Sequence, residues 1–200
     1  MKNLILITLV ILPFVGLSQR DGSKVMDVNN IDYRLLDSLI IVEINKVRDS
    51  LGNYNMNYSR IISDNISKNR CEKLKTEQKV YHPSGLMDLY SDKVESLIIN
   101  ESSTKYNFNV GDDVVDGFEI CLFKTKSYKL VTYSDYAKSI VDLWRKSPDH
   151  FFVVRDAYSR KITDTGKEIF LMSGVSSKYG VYGERNGFYV VLNLSVIYNY

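Results

Sequence analysis

Apolar residues recur at helical spacing in three stretches of this 200-residue chain. Residues 32–51 carry one apolar stripe, and Gly52 is placed to end a helix in a left-handed conformation. A weaker pattern predicts a second helix over residues 59–78. A third helix is predicted to begin with Ser134 as its N-cap and to stop before Pro148. Its predicted buried stripe comprises Ala137, Ile140, Val141 and Trp144.

Strand patterns lie in the second half of the chain. Residues 118–123 alternate in such a way that Glu119 and Cys121 share one face of a predicted strand. Residues 169–176 and 188–198 are rich in β-branched and aromatic side chains, as is typical of strands. These last two stretches predict an antiparallel hairpin at the C-terminus.

The remaining segments are less regular. The pair Asn186-Gly187 favours a tight turn within the hairpin. Within residues 86–116, residues 94–99 fit either a strand or a helical turn, and residues 100–113 are polar and loop-like. Helices first and a hairpin last favour an α+β fold over a doubly wound parallel sheet.

The N-terminus has the pattern of a secretory signal peptide. Lys2 precedes an apolar run over residues 4–15, and the small residues Gly16 and Ser18 flank a cleavage point after Ser18. The run is shorter than the about 20 residues that span a bilayer, and an uncleaved N-terminal anchor is the alternative. We therefore expect a secreted or periplasmic (cell-envelope) protein with no transmembrane segment in its mature chain. The predicted organisation is a signal peptide over residues 1–18, a flexible leader over residues 19–31 and one domain over residues 32–200.

Charge and cysteine content narrow the function. A net charge of +2 provides no dense basic patch, so no nucleic-acid partner is expected. Cys71 and Cys121 could form one disulfide in an oxidising compartment, or each could be a small buried apolar side chain. No G-x-S-x-G or H-E-x-x-H motif is present, and neither cysteine adjoins a histidine along the chain. The sequence therefore indicates no clear nucleophile.

Several short motifs occur in a characteristic order over residues 32–195. They are I-V-E-I-N-K-V-R-D-S-L-G, V-Y-H, F-E-I-C-L, I-V-D-L-W-R-K-S-P-D-H, S-G-V and Y-V-V-L-N-L. This order resembles the CAP superfamily (cysteine-rich secretory proteins, antigen 5 and pathogenesis-related 1 proteins; SCP domains) in its compact bacterial form. The resemblance implies a three-layer α-β-α sandwich with a small antiparallel sheet and a C-terminal hairpin. It also implies a cleft in which two histidines and two acidic residues converge.

Carried over by position, the resemblance assigns the two histidines to His82 and His150. It assigns one acidic residue to Glu119, which lacks the glycine that precedes it in the family. Glu95 is the competing assignment for that residue, and Asp149 is a weak substitute for the second. His82, His150 and Glu119 could hold a divalent metal such as zinc, with water completing the coordination shell.

These features predict a binding module rather than an enzyme. Its partner would be a small apolar ligand, an envelope component or an extracellular protein. The alternative is a peptidase-like hydrolase that acts in the same cleft with or without a metal, and a purely structural envelope protein is a third hypothesis. The hydrolase hypothesis requires the side chains of His82, Glu119 and His150 to converge, because catalytic groups act on one reacting centre.

Overall fold

The computed structural model describes residues 21–83, 91–106, 110–125, 131–155 and 168–199 of the chain. The helical segments in this part are α1 (Tyr33–Ser50), α2 (Arg60–Ile62), a π-helical turn (Ser63–Ser67), α3 (Lys68–Glu77), α4 (Asp92–Tyr106), α5 (Tyr133–Arg145) and α6 (Pro148–Arg155). The strands are β1 (Asn57–Tyr58), β2 (Val110–Thr125), β3 (Glu168–Tyr182) and β4 (Arg185–Asn199).

The strands form one sheet in the order β1-β3-β4-β2. β3 and β4 are the two arms of a long antiparallel hairpin, and β2 pairs antiparallel with the other side of β4. β1 lies parallel to β3, with Asn57 opposite Met172 and Tyr58 opposite Ser173. The α+β class and the C-terminal hairpin are confirmed. The sheet is mixed rather than purely antiparallel, because β1 joins helices on opposite faces of the sheet and is not part of a hairpin.

Helices cover both faces of the sheet. α1, α5 and α6 pack on one face, and α2, α3 and α4 pack on the other, so the chain forms three layers. Successive residues of a strand point to opposite faces, and β4 is therefore apolar along most of its length. The β4 residues toward α1 and α5 are Phe188, Val190, Leu192, Leu194 and Val196, and those on the other face include Tyr189, Val191 and Ile197.

α5 buries the apolar stripe that the sequence predicted. None of the four residues of the stripe is more than 2% exposed, and all pack in the core with α1. The helix begins slightly earlier than predicted, with Thr132 rather than Ser134 as its N-cap. The Thr132 hydroxyl accepts a hydrogen bond from the N–H of Asp135 and donates one to the carboxylate of the same residue. The hydroxyl of Thr132 thus satisfies an N–H group of the first turn of α5 that has no partner within the helix.

α6 follows α5 after a short turn. Pro148 occupies its first position, where the missing N–H costs no helical hydrogen bond. The N–H of Phe151 donates to the carbonyl of Ser147 at 2.8 Å. His150 therefore belongs to the first turn of α6 and is carried by a regular element of the fold.

Serine hydroxyls contact the carbonyls of β3. The Ser63 hydroxyl donates to the carbonyl of Val175 at 2.7 Å, and the Ser67 hydroxyl donates to that of Gly174 at 2.8 Å. The helix can approach this closely because Gly174 has no side chain. A Cβ at this position would overlap the backbone nitrogen of Ser63. The predicted second helix is therefore docked directly on the sheet, with Ser59 as its N-cap and the π-helical turn in its first half.

The stretch between α3 and β2 contains more regular structure than predicted. α4 includes residues 94–99, in agreement with the helical alternative, and also residues 100–106, which we predicted to be a loop. Val94 and Ile98 lie one helical turn apart and pack against α2, so a tertiary contact stabilises a helix with weak intrinsic propensity. β2 likewise begins at Val110, well before the predicted strand.

The hairpin turns at Gly183 rather than at Asn186-Gly187, where the turn was predicted. Gly183 has a φ of 59°, a conformation that favours glycine. Gly187 instead lies within β4, where a Cβ would collide with the carbonyl of Lys124 on β2. This glycine is needed for close approach of two strands, and the turn prediction was therefore wrong.

The N-terminal predictions fall partly outside the described residues. The predicted signal peptide lies outside them, and so do residues 19–20 of the predicted leader. Within the rest of the leader, Val25 forms an isolated bridge with Thr132, and Met26 is only 7% exposed. In the part of the chain that the structure describes, no helix combines the length and apolarity needed to cross a membrane.

The close approach at Gly174 gives a stability prediction. Gly174→Ala should lower the free energy of unfolding by about 2–3 kcal/mol, because helix backbone atoms must move to admit the new methyl group. Urea denaturation followed by circular dichroism measures this change. Ser176→Ala, on the same face of β3, adds no atoms and should cost less than about 1 kcal/mol. Equal stability of Gly174→Ala and the wild type would contradict the docking of the helix on β3.

Candidate ligand pocket

A cavity of about 340 Å³ opens between the first turn of α6, the middle of β2 and the segment that follows α3. Most of its wall is apolar, and four polar residues also line it. The apolar lining residues are Pro83, Phe118, Ile120, Phe152 and Val153, and the polar ones are His82, Glu119, Asp149 and His150. Four of the five residues that the sequence indicated for the site therefore meet at one cavity.

The two histidines meet at this cavity although they lie 68 residues apart in the chain. The Nε2 atoms of His82 and His150 are 3.4 Å apart. Their rings are arranged edge to face, with an angle of 63° between the planes. About half of the His82 side chain is exposed (48%), so the pair faces solvent at the mouth of the cavity.

Glu119 lies behind His82, on the side away from His150. Its Oε1 is 3.7 Å from Nδ1 of His82. The carboxylate is fully buried, and the Nε of Arg70 donates to both of its oxygens at 3.1 Å. The side-chain amide of Asn193 donates to Oε2 at 3.4 Å. The carboxylate is thus fixed by charge-assisted hydrogen bonds inside the protein.

Arg70 also fastens the segment that carries His82. Its guanidinium donates a hydrogen bond to the carbonyl of Tyr81 and lies 4.5 Å from the centre of the Tyr81 ring. One side chain of α3 therefore positions both the buried carboxylate and the histidine in front of it. This role of Arg70 was not predicted from the sequence. The available signal was the helical spacing that places Arg70 on the buried face with Ser67 and Leu74.

Cys121 is the second neighbour that the sequence did not reveal. Its Sγ lies 3.9 Å from Nδ1 of His82 and 3.6 Å from the carbonyl of Tyr81. Cys121 follows Glu119 by two residues on β2, so both side chains point to the same face. Cys121 is not next to a histidine in the sequence, but the fold places it beside His82. Cys71 and Cys121 are both free, buried thiols, which corresponds to the unpaired alternative.

These neighbours divide the charge unequally between the two histidines. Hydrogen bonding with Cys121, and then with Glu119, raises the pKa of His82 to about 10 against the opposing effect of burial. Burial, and then the charge of His82, lower the pKa of His150. At neutral pH His82 is therefore the cation and His150 the neutral imidazole. In this state the Nε2–H of His82 can donate to the Nε2 of His150.

The histidine pair fits two positions of a tetrahedral metal shell. Two Zn–N bonds of about 2.05 Å place their nitrogens roughly 3.3 Å apart, and the two Nε2 atoms are 3.4 Å apart. Asp149, which lines the same cavity, could add an oxygen ligand. Glu119 instead faces the opposite nitrogen of His82, where a carboxylate orients a metal-bound imidazole. A metal held by His82 and His150 would polarise an oxygen of a bound ligand.

Two other assignments are less favourable. Ligand atoms of His82, Glu119 and Cys121 lie within 4.8 Å of one another, but a cation among them would lie against the guanidinium of Arg70. Glu95, the competing acid, lies in the first turn of α4 and is absent from the described residues that line the cavity. The geometry therefore favours Glu119 as the acid of this site.

Comparison with known proteins gives little further information. No family model and no curated protein matches the chain. A solved structure with some similarity is that of an outer surface protein from Borrelia burgdorferi, with 15% sequence identity and a TM-score of 0.48. The similarity covers 86% of this chain and 97% of that chain. A likeness of this degree indicates neither a family nor a function, so membership of the CAP superfamily stays a prediction.

The buried ion pair gives a second stability prediction. Arg70→Met should lower the free energy of unfolding by about 3 kcal/mol or more, because it leaves the carboxylate of Glu119 buried without its partner. Arg60→Met is the matched control, since the Arg60–Asp64 pair is exposed (67% and 50%) and should contribute less than about 1 kcal/mol. Urea denaturation of both variants measures the difference. An equal effect of the two substitutions would contradict the structural role of Arg70.

Proposed function

We propose that this protein is an exported binding module of the CAP type, and that its histidine pocket takes a small ligand with an apolar body and one acidic group. The observation that carries this proposal is the pair of imidazoles at the mouth of an otherwise mostly apolar cavity. Small-molecule sites commonly combine apolar walls with a few convergent polar groups of perturbed pKa. Export is supported by the N-terminal pattern, and the CAP type by the order of motifs.

The walls of the pocket suit an apolar body. Phe118 and Phe152 meet edge to face, with ring centroids 6.4 Å apart. Phe152 is 50% exposed at the rim of the cavity. A ligand that covers this ring would gain about 25 cal/mol for each Å² of apolar surface removed from water.

The histidine end suits an acidic group. His82 is cationic at neutral pH, and hydrogen bonds from a charged donor to a carboxylate are stronger than neutral ones. Arg70 compensates the charge of Glu119, so the positive charge of His82 remains available. Asp149 also lines the cavity, but its side chain is exposed and solvent weakens its repulsion.

The hydrolase alternative receives weaker support. The required convergence of His82, Glu119 and His150 is present. Among the described residues that line the cavity, however, there is no serine, threonine or cysteine, and Cys121 is only 2% exposed. Hydrolysis would therefore need a water molecule activated by the neutral His150.

We expect the pocket to prefer a carboxylate over the corresponding amide. At neutral pH, 4-phenylbutyrate should bind roughly tenfold more tightly than 4-phenylbutanamide, because only the acid forms a charge-assisted hydrogen bond with His82. His82→Ala should abolish this preference. Phe152→Ala is the matched control: it should weaken both ligands to a similar extent, because it removes apolar contact alone. Calorimetric titration measures all of these affinities.

The pH dependence of ligand binding distinguishes His82 from an ordinary surface histidine. Because the pKa of His82 is raised to about 10, its positive charge is lost only as the pH rises through that value. The preference for the acid should therefore persist in mildly alkaline buffer, rather than disappear near the usual histidine pKa of about 6.5. Equal binding of acid and amide by the wild type, or an unchanged preference in His82→Ala, would contradict the proposal.

A further inference from the structure

A second cavity, of about 470 Å³, lies beside the tip of the β3–β4 hairpin. It is lined by Glu77, Lys79, Val80, Tyr81 and Tyr182. The segment after α3 separates it from the histidine pocket, because Tyr81 lines one cavity and the next two residues line the other. The two cavities are therefore neighbours with different chemistry.

Tyr182 presents an exposed aromatic ring that is held in place from behind. Its ring stacks on that of Phe123, with centroids 5.3 Å apart and 29° between the planes. Phe123 in turn contacts Tyr189 at 4.9 Å, and the Tyr189 hydroxyl donates to the carbonyl of Val181 at 2.5 Å. Tyr182 is nevertheless 42% exposed. A ring that is already ordered loses little entropy when a ligand stacks on it.

Polar groups of both kinds line the same cavity as this ring. The Tyr81 hydroxyl donates to Oε2 of Glu77 at 2.6 Å, which orients the carboxylate beside the cavity. Glu77 and Lys79 are both exposed. A carboxylate can only accept hydrogen bonds and an ammonium can only donate them, so the rim of the cavity offers both functions.

We infer that this cavity is a saccharide-binding site, in which a sugar ring stacks on Tyr182 and its hydroxyls bond to Glu77 and Lys79. A sugar ring has a C–H face that packs on an aromatic ring, and an edge of hydroxyls that both donate and accept. A wholly apolar ligand would strip water from the two charged groups without replacing its hydrogen bonds. A stable protein partner would need a patch of about 800 Å² on each side, far more than one ring provides.

Titration calorimetry of the full chain with cellotetraose, maltotetraose and chitotetraose tests this inference. At least one of these sugars should bind the wild type. Tyr182→Ala should weaken that binding roughly tenfold, and Tyr182→Phe by less than about threefold because the stacking surface remains. Lys79→Ala should also weaken binding. Tyr54→Ala removes another exposed tyrosine (50%) outside the cavity and should leave the affinity unchanged.

Binding of none of the three sugars would overturn the inference, as would equal affinity of the wild type and Tyr182→Ala. His150→Ala distinguishes the two cavities: sugar binding that depends on His150 but not on Tyr182 would place the sugar in the histidine pocket and would also overturn it. Thermal unfolding followed by circular dichroism checks that Tyr182→Ala is folded. If that variant does not fold, unchanged affinity in Lys79→Ala overturns the inference and weakened affinity supports it.

Discussion

The histidine pocket depends on the buried ion pair between Arg70 of α3 and Glu119 of β2, which joins a helix to the sheet. Removal of two charges from water is costly, so such a pair is stable only when further hydrogen bonds satisfy it. The amide of Asn193 and the carbonyl of Tyr81 provide those bonds. Because Tyr81 directly precedes His82, the same hydrogen bond that satisfies the arginine also places the histidine in front of the carboxylate.

The surroundings of the two histidines, of which the ion pair is one part, determine where the charge of the pocket lies. Hydrogen bonding with Cys121, and then with Glu119, raises the pKa of His82, whereas burial, and then the charge of His82, lower the pKa of His150. Groups that interact this closely titrate as a unit rather than independently. The result is one cationic imidazole beside one neutral imidazole, at the open end of a cavity with apolar walls. A metal ion would have to displace the proton of His82, since only a free nitrogen lone pair can bind it.

The elements that the sequence predicted well are those with a strong apolar period. α1 and α5 have clear apolar stripes. The order of short motifs indicated that His82, Glu119 and His150 belong to one site. Residues 100–106 of α4 and the first half of β2 were missed because their formation depends on tertiary contacts rather than on local propensity. Arg70 and Cys121 were missed for a related reason. Spacing shows which residues lie on the same face of a helix or strand. It does not show which side chains of other elements that face will contact.

Long-range ¹H–¹⁵N NMR of the imidazole nitrogens, recorded as a function of pH, measures directly which of the two histidines carries the charge. We predict that both nitrogens of His82 stay protonated until the pH approaches its pKa of about 10, while His150 is a neutral tautomer at neutral pH. Glu119→Gln should lower the pKa of His82, because it removes the negative charge behind Nδ1. If the two histidines instead titrate independently with a pKa of about 6.5, the usual value for a solvated imidazole, this assignment of charge is contradicted.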